Sequence, residues 1–141
     1  MGDLTSHPRQ INANTSLFTS HDLLALHPTT HASFSLACLT HTLPSQLTAH
    51  IISLPSASPR LPFNLKHTLV RTAIKNGAVF EINISGAVRE GKSASEAEGE
   101  RRNWWAAGRE VVRVTKGKGL LVSGGAESVT EVRSPKDAEN L

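Results

Sequence analysis

Residues 60–88 constrain this chain more than any other stretch: Arg-Leu-Pro-Phe-Asn-Leu-Lys-His-Thr-Leu-Val-Arg-Thr-Ala-Ile-Lys-Asn-Gly-Ala-Val-Phe-Glu-Ile-Asn-Ile-Ser-Gly-Ala-Val. Leu65, Leu69, Val70, Ala73 and Ile74 share one half of a helical wheel, and His67, Thr68, Arg71, Thr72 and Lys75 take most of the other. Asn64 is placed to cap that helix and Gly77 to stop it. Ala78, Val79, Phe80, Ile82 and Ile84 then form an apolar run broken only by Glu81 and Asn83, too short for a helix and flanked by glycines. The stretch predicts a helix built to lie on a sheet, followed by a buried strand.

The same order recurs on both sides. Asp22–Leu26 reads as a short strand ended by His27-Pro28, because proline cannot continue a central ladder. Thr29 or Thr30 can cap a helix from about His31 to Leu39. Ile51–Leu54 is the next strand, closed by Pro55 and a Ser/Pro-rich loop. Beyond the central unit, residues 89–99 are polar and mixed in charge, which suits a flexible surface insertion. A helix from Glu100 to Lys116 follows, with Trp104, Gly108, Val111 and Thr115 as its apolar stripe and Trp105 and Val112 beside it. On that stripe the two tryptophans read as core packing rather than as base-stacking platforms. Leu120–Ser123 is a fourth strand, and Ser134-Pro135 with Asp137 is a further helix start.

Repeated strand–helix units imply a parallel sheet with crossover helices. The expected fold class is α/β with parallel βα repeats, about half of a (β/α)8 TIM-barrel-like fold, which in full usually takes about 250 residues. Residues 1–20 read as a disordered or unrelated leader and residues 21–141 as the partial barrel domain. Such a half-barrel exposes unpaired strand edges that invite pairing with another chain.

Several function classes find no support. No apolar run approaches the roughly 20 residues that span a bilayer, so no membrane partner is expected. Met1–Thr19 has neither the pattern of a secretory signal nor that of a transit peptide. The single cysteine, Cys38, excludes an internal disulfide, and its apolar setting suits a buried inert thiol. There is no Gly-x-Ser-x-Gly, phosphate-binding glycine loop or Cys-x-x-Cys, and nothing pairs a nucleophile with a base. No catalytic residue is assigned. Seven histidines raise the question of a metal, but Pro28 separates His27 from His31 and no His-x-His occurs, so no metal or cofactor is assigned either. Glu81 reads as an acid facing a barrel mouth or as a core carboxylate met by a Lys or Arg.

Fifteen Lys and Arg against twelve Asp and Glu leave a formal charge of +3. Arg102, Arg109, Arg113 and Lys116 fall within about 60° of one helical wheel. Arg60 with Lys66, Arg71 with Lys75, and Lys116 with Lys118 are further clusters. Each suits phosphate contact and equally suits a solvated helix face.

Leu61-Pro62-Phe63, the helix ending in Asn76-Gly77, and Ala78-Val79-Phe80-Glu81-Ile82 resemble the thirty-kilodalton protein subunit family of ribonuclease P and ribonuclease MRP. The resemblance continues through Val114-Thr115-Lys116-Gly117-Lys118-Gly119, Leu120-Leu121-Val122-Ser123 and the segment Arg133–Leu141, and upstream through Asp22–Leu26 and Phe34–Cys38. It implies a barrel related to the polymerase-and-histidinol-phosphatase hydrolases. It also implies an accessory subunit, no enzyme on its own, of a nuclear (nucleolar) ribonucleoprotein whose RNA cleaves 5′ leaders from precursor tRNA or processes ribosomal RNA. The implied partners are the ribonuclease P/MRP RNA and other protein subunits, including a small partner subunit. Arg60, Lys66, Lys116, Lys118, Arg133 and Lys136 are the expected RNA-binding residues. The alternatives are a fragment of a metal-dependent phosphoesterase using His27 and His31, or a truncated product without function.

Overall fold

The computed structural model describes residues 15–56, 60–88, 93–126 and 128–140. The first fourteen residues of the expected leader and residues 89–92 of the expected insertion lie outside them. Four strands, β1 (Ala25–Leu26), β2 (Ile51–Ser53), β3 (Val79–Asn83) and β4 (Leu120–Ser123), form one sheet in the order β1-β2-β3-β4. Every pairing is parallel, with Ala25 opposite Ile51, Ile51 opposite Val79, and Phe80 opposite Leu120. The helices are α1 (Thr15–Phe18), α2 (His31–Leu36), α3 (His67–Lys75), α4 (Ser85–Val88), α5 (Ala94–Thr115) and α6 (Pro135–Glu139). The alternation of parallel strands with helices is that of about half a TIM-barrel-like fold, as the sequence predicts.

Local chemistry places the ends. Thr30 and Ser33 form a capping box at the start of α2, and Ser134 and Asp137 form another at α6 with Pro135 at its first position. Beyond Leu36 the chain widens into a π-helical turn, Ala37–His41, rather than continuing as an α-helix. The Thr42 hydroxyl donates to the Cys38 carbonyl at 2.8 Å and accepts from the Asn76 side-chain amide at 2.8 Å, which ties that turn to the end of α3. Gly77 follows with φ of 96°, the left-handed conformation that glycine adopts freely.

Two boundaries differ from expectation. Asn64 does not cap α3: the cap position is Lys66, without a side-chain hydrogen bond. The Lys66 N–H donates to the Asn64 carbonyl at 2.9 Å, a tight turn about Leu65, before Lys66 leads extended into the helix; Phe63 and Leu65 are both buried. Helix α5 begins six residues before Glu100, because Ser93 and Glu96 form a capping box, so residues 94–99 are helical.

Side chains alternate across the strands. Leu26, Ile52, Phe80 and Ile82 are buried beneath the helices, and the register puts Leu120 and Val122 on the same side. Phe34 of α2 stacks on Phe63 with ring centres 4.4 Å apart and meets Phe80 at 6.4 Å. The opposite face carries Ile51, Val79, Glu81 and Leu121, none of them buried. In a closed barrel that face is the packed interior.

Candidate nucleic-acid interface

His67, Arg71 and Lys75 stand at i, i+4 and i+8 on α3, about 6 Å apart along the axis. All three are exposed. Their row faces the turn that joins α5 to β4. Thr115 closes α5, its hydroxyl donating to the Val111 carbonyl at 2.8 Å. Lys116 (φ 56°), Gly117 (φ 72°) and Gly119 (φ 60°) then carry the chain through left-handed conformations into the strand. Gly119 lies so close to α3 that a Cβ there would sit 3.1 Å from Ile74 Cγ1. Glycine is what permits the approach.

The product is a groove of about 350 Å³ with Ile74, Val114 and Thr115 at its base. His67, Arg71, Lys75, Lys116 and Lys118 line it, and among the described residues no carboxylate does. Basic side chains on two walls suit a polyanion whose charge is repeated along its length.

The structure divides the expected RNA-binding residues. Lys116 and Lys118 precede β4 and share the groove. Arg60 and Lys66 follow β2, and Arg133 and Lys136 follow β4, so these four belong to the opposite, carboxyl-terminal end of the strands. Arg60 lines a separate cleft with Asn64, Asn103 and Glu110. Arg133 lines another with Pro135 and Glu139. The six therefore form no single patch. The residues brought to Lys116 and Lys118 are Arg71, Lys75 and His67, which the i, i+4, i+8 spacing on α3 signals in the sequence.

The basic row on α5 is partly neutralised. Arg102 pairs with Glu98 at 3.5 Å, and Arg113 pairs with Glu110 at 2.7 Å through two guanidinium nitrogens. The hydrogen bond from Arg113 lowers the Glu110 carboxyl below its usual range. Trp104 is buried as expected, but Trp105 is 40% exposed and meets it edge-on at 5.2 Å. Glu81 is half-buried on the open sheet face, and among the described residues no ion pair reaches it. Among those residues, too, no three His, Cys, Asp or Glu side chains converge as a metal site would require. No helix is long and apolar enough to cross a membrane among them.

Comparison with known proteins places the chain. The family model described as RNase P subunit p30 matches residues 4–141. The chain belongs to the RNase P subunit p30 family. The match also takes in most of residues 1–20. Among its relatives, "Ribonuclease P protein subunit p30" of Mus musculus is 29% identical over 136 residues, covering 96% of this chain and 46% of its own length. "Probable ribonuclease P protein subunit 3" of Schizosaccharomyces pombe is 30% identical over 120 residues, 85% of this chain and 45% of its own. "Protein GAMETOPHYTE DEFECTIVE 1" of Arabidopsis thaliana is 32% identical over 133 residues, 94% of this chain and 20% of its own. The chain thus spans less than half the length of each of these relatives. The phosphoesterase alternative is not favoured by these likenesses.

Proposed function

We propose that the chain serves as an accessory protein subunit of ribonuclease P and of ribonuclease MRP, acting in tRNA 5′-leader and ribosomal RNA processing. The observation that carries this reading is the family match over residues 4–141, with two relatives named as ribonuclease P subunits. The chain is not itself the catalyst. Its share is to screen phosphate repulsion, hold the RNA in shape and contact other subunits, a small partner subunit among them. Its place is the nucleus, in the nucleolus. Residues 21–141 are the barrel-derived domain in this reading.

Phosphate contact at the groove falls to Arg71, Lys75, Lys116 and Lys118, whose clustering supports it. Arg60, Lys66, Arg133 and Lys136 supply separate contacts at the other end of the sheet. Folded RNA is recognised largely through its shape and phosphates. Each phosphate neutralised adds roughly 0.7–0.9 to the slope of log affinity against log salt. Reversing the four groove charges should weaken binding to the ribonuclease P or MRP RNA and flatten that slope; an unchanged slope removes the groove from the role.

A further inference from the structure

We propose that the cleft between the loop after β2 and helix α5 holds one unpaired guanine of an RNA strand, with Glu110 reading its two adjacent donors. The site deepens the RNA-binding role proposed above and rests on it. Both walls belong to the two central strand–helix units, so neither an outer strand nor the open sheet face takes part.

Helix α5 supplies Asn103, Ala107 and Glu110 at i, i+4 and i+7, one row about 10 Å long at about 1.5 Å per residue. Ala106 and Ala107 lie between the two polar ends, and their single methyl groups leave the helix surface recessed there. Across from them Phe63 and Leu65 are buried and Leu61 is half-buried, which gives the cleft an apolar floor. Arg60 and Asn64 belong to the same loop wall, and both are exposed. The space measures about 270 Å³, just below the roughly 300–1,000 Å³ of sites for drug-sized ligands, and so suits one flat ring system.

The polar groups decide which ring. Arg113 donates to Glu110 Oε2 through Nε at 2.9 Å and to Oε1 through Nη2 at 2.7 Å. These bonds hold the carboxyl below its usual range, so at neutral pH it is ionised and only accepts. Each of its oxygens keeps a further lone pair. Guanine presents two adjacent donors, the ring N1–H and the exocyclic N2–H, spaced for the two oxygens of one carboxylate. Adenine and cytosine present a bare ring nitrogen beside their amine, and uracil a single donor between two carbonyls. Asn64 and Asn103 carry donors and an acceptor for the rest of the base, and neither side chain has a hydrogen-bond partner among the described residues. Arg60, without an ion pair among them, supplies the cation for the adjoining phosphate. A nucleotide joins an uncharged donor pair to an anion, which matches Glu110 and Arg60 together. Unpaired bases held by their edges are the usual route to sequence-specific RNA recognition.

Calorimetric titration of the full chain with guanosine, inosine and adenosine 5′-monophosphates tests this. The expected result is saturable binding of guanosine monophosphate, about tenfold or more tighter than adenosine monophosphate, whose bare ring nitrogen faces a carboxylate oxygen. Inosine monophosphate, which lacks the N2 donor, should fall between them. Glu110→Gln should bring the guanosine-to-adenosine ratio close to one while circular dichroism stays unchanged. Ala106→Leu fills the recess and should remove binding of all three. No guanosine monophosphate binding up to roughly 10 mM overturns the proposal, and a cleft that serves a peptide gives that result. Equal affinities for the three nucleotides overturn it as well, as does a preference that survives Glu110→Gln. The inosine comparison on the wild-type chain decides the matter even if a variant fails to fold. Nucleotide preference in a chain that recovers no ribonuclease P or MRP RNA keeps the site and removes the particle role; the reverse removes the site alone.

Discussion

The indole N–H of Trp104 donates to the main-chain carbonyl of Asn83 at 2.7 Å, fastening the middle of α5 to the end of β3. That carbonyl also accepts from the Ser56 hydroxyl at 3.3 Å, while the Asn83 side-chain oxygen accepts from the Ser85 N–H at 3.0 Å where α4 begins. One residue at the end of β3 thus joins the loop after β2 to two helices. Trp104→Phe keeps an aromatic ring in place but removes the donor and part of the indole's buried volume, so it should cost at least about 1 kcal/mol in urea unfolding. Trp104→Ala also leaves a cavity and should cost about 3–5 kcal/mol. A Phe variant as stable as the wild type would show that the bond contributes nothing.

Gly119 against Ile74 shapes the basic groove. Gly119→Ala meets both a left-handed φ of 60° and Ile74 Cγ1 at 3.1 Å. The backbone term alone is about 1–2 kcal/mol. The variant should lose about that much stability and bind RNA more weakly, because the turn bearing Lys116 and Lys118 must lift from α3. RNA affinity measured on the folded variant checks the second part; unchanged affinity separates the groove from binding.

These contacts show why the fold was more legible than the site. The apolar wheel of Leu65, Leu69, Val70, Ala73 and Ile74 and the alternation around Phe80 and Ile82 are local patterns, and the structure follows them. Ser134-Pro135 with Asp137 carries its own capping chemistry and reads directly as a helix start. Ser93 and Glu96 hold the same chemistry, but the polar residues 94–99 show no apolar period, so their helix reads as an insertion. Asn64 has the right chemistry at the wrong place, because a tight turn closed by the Lys66 N–H on the Asn64 carbonyl, with Leu65 buried at its centre, intervenes before the helix starts. The groove depends on the α5–β4 turn docking on α3, a contact between residues more than forty positions apart. Nothing local to Lys116 or Arg71 announces it. Trp105 differs from Trp104 for a related reason: each neighbour on a wheel leans to a different side, and only one meets the sheet.

Burial pushes the Cys38 thiol up to about 12. The thiolate, not the thiol, reacts. A disulfide reagent at mildly alkaline pH should leave the native chain unmodified over the time in which urea-unfolded chain reacts fully. Rapid stoichiometric reaction of the native chain would contradict the buried position of the residue.

Burial lowers the His41 imidazole below its ordinary value. The unfolded chain therefore binds the proton more readily than the folded one. The contribution of His41 is fully present above the ordinary imidazole value of about 6.5 and is lost as pH falls through the lowered folded value. Stability should decline on acidification below about pH 6.5, before carboxylates such as Glu110 begin to titrate. His41→Gln should flatten that first decline in urea midpoints against pH; an identical profile would assign it elsewhere.

The central claim is that this chain works within a ribonuclease P or MRP particle. The most direct measurement is recovery of the tagged chain from its own cells at moderate salt, with its bound RNAs and proteins identified. The account predicts the ribonuclease P or MRP RNA together with other subunits, and a lower yield of that RNA when Arg71, Lys75, Lys116 and Lys118 are reversed in charge. A soluble, folded chain recovered without those RNAs and subunits would contradict it.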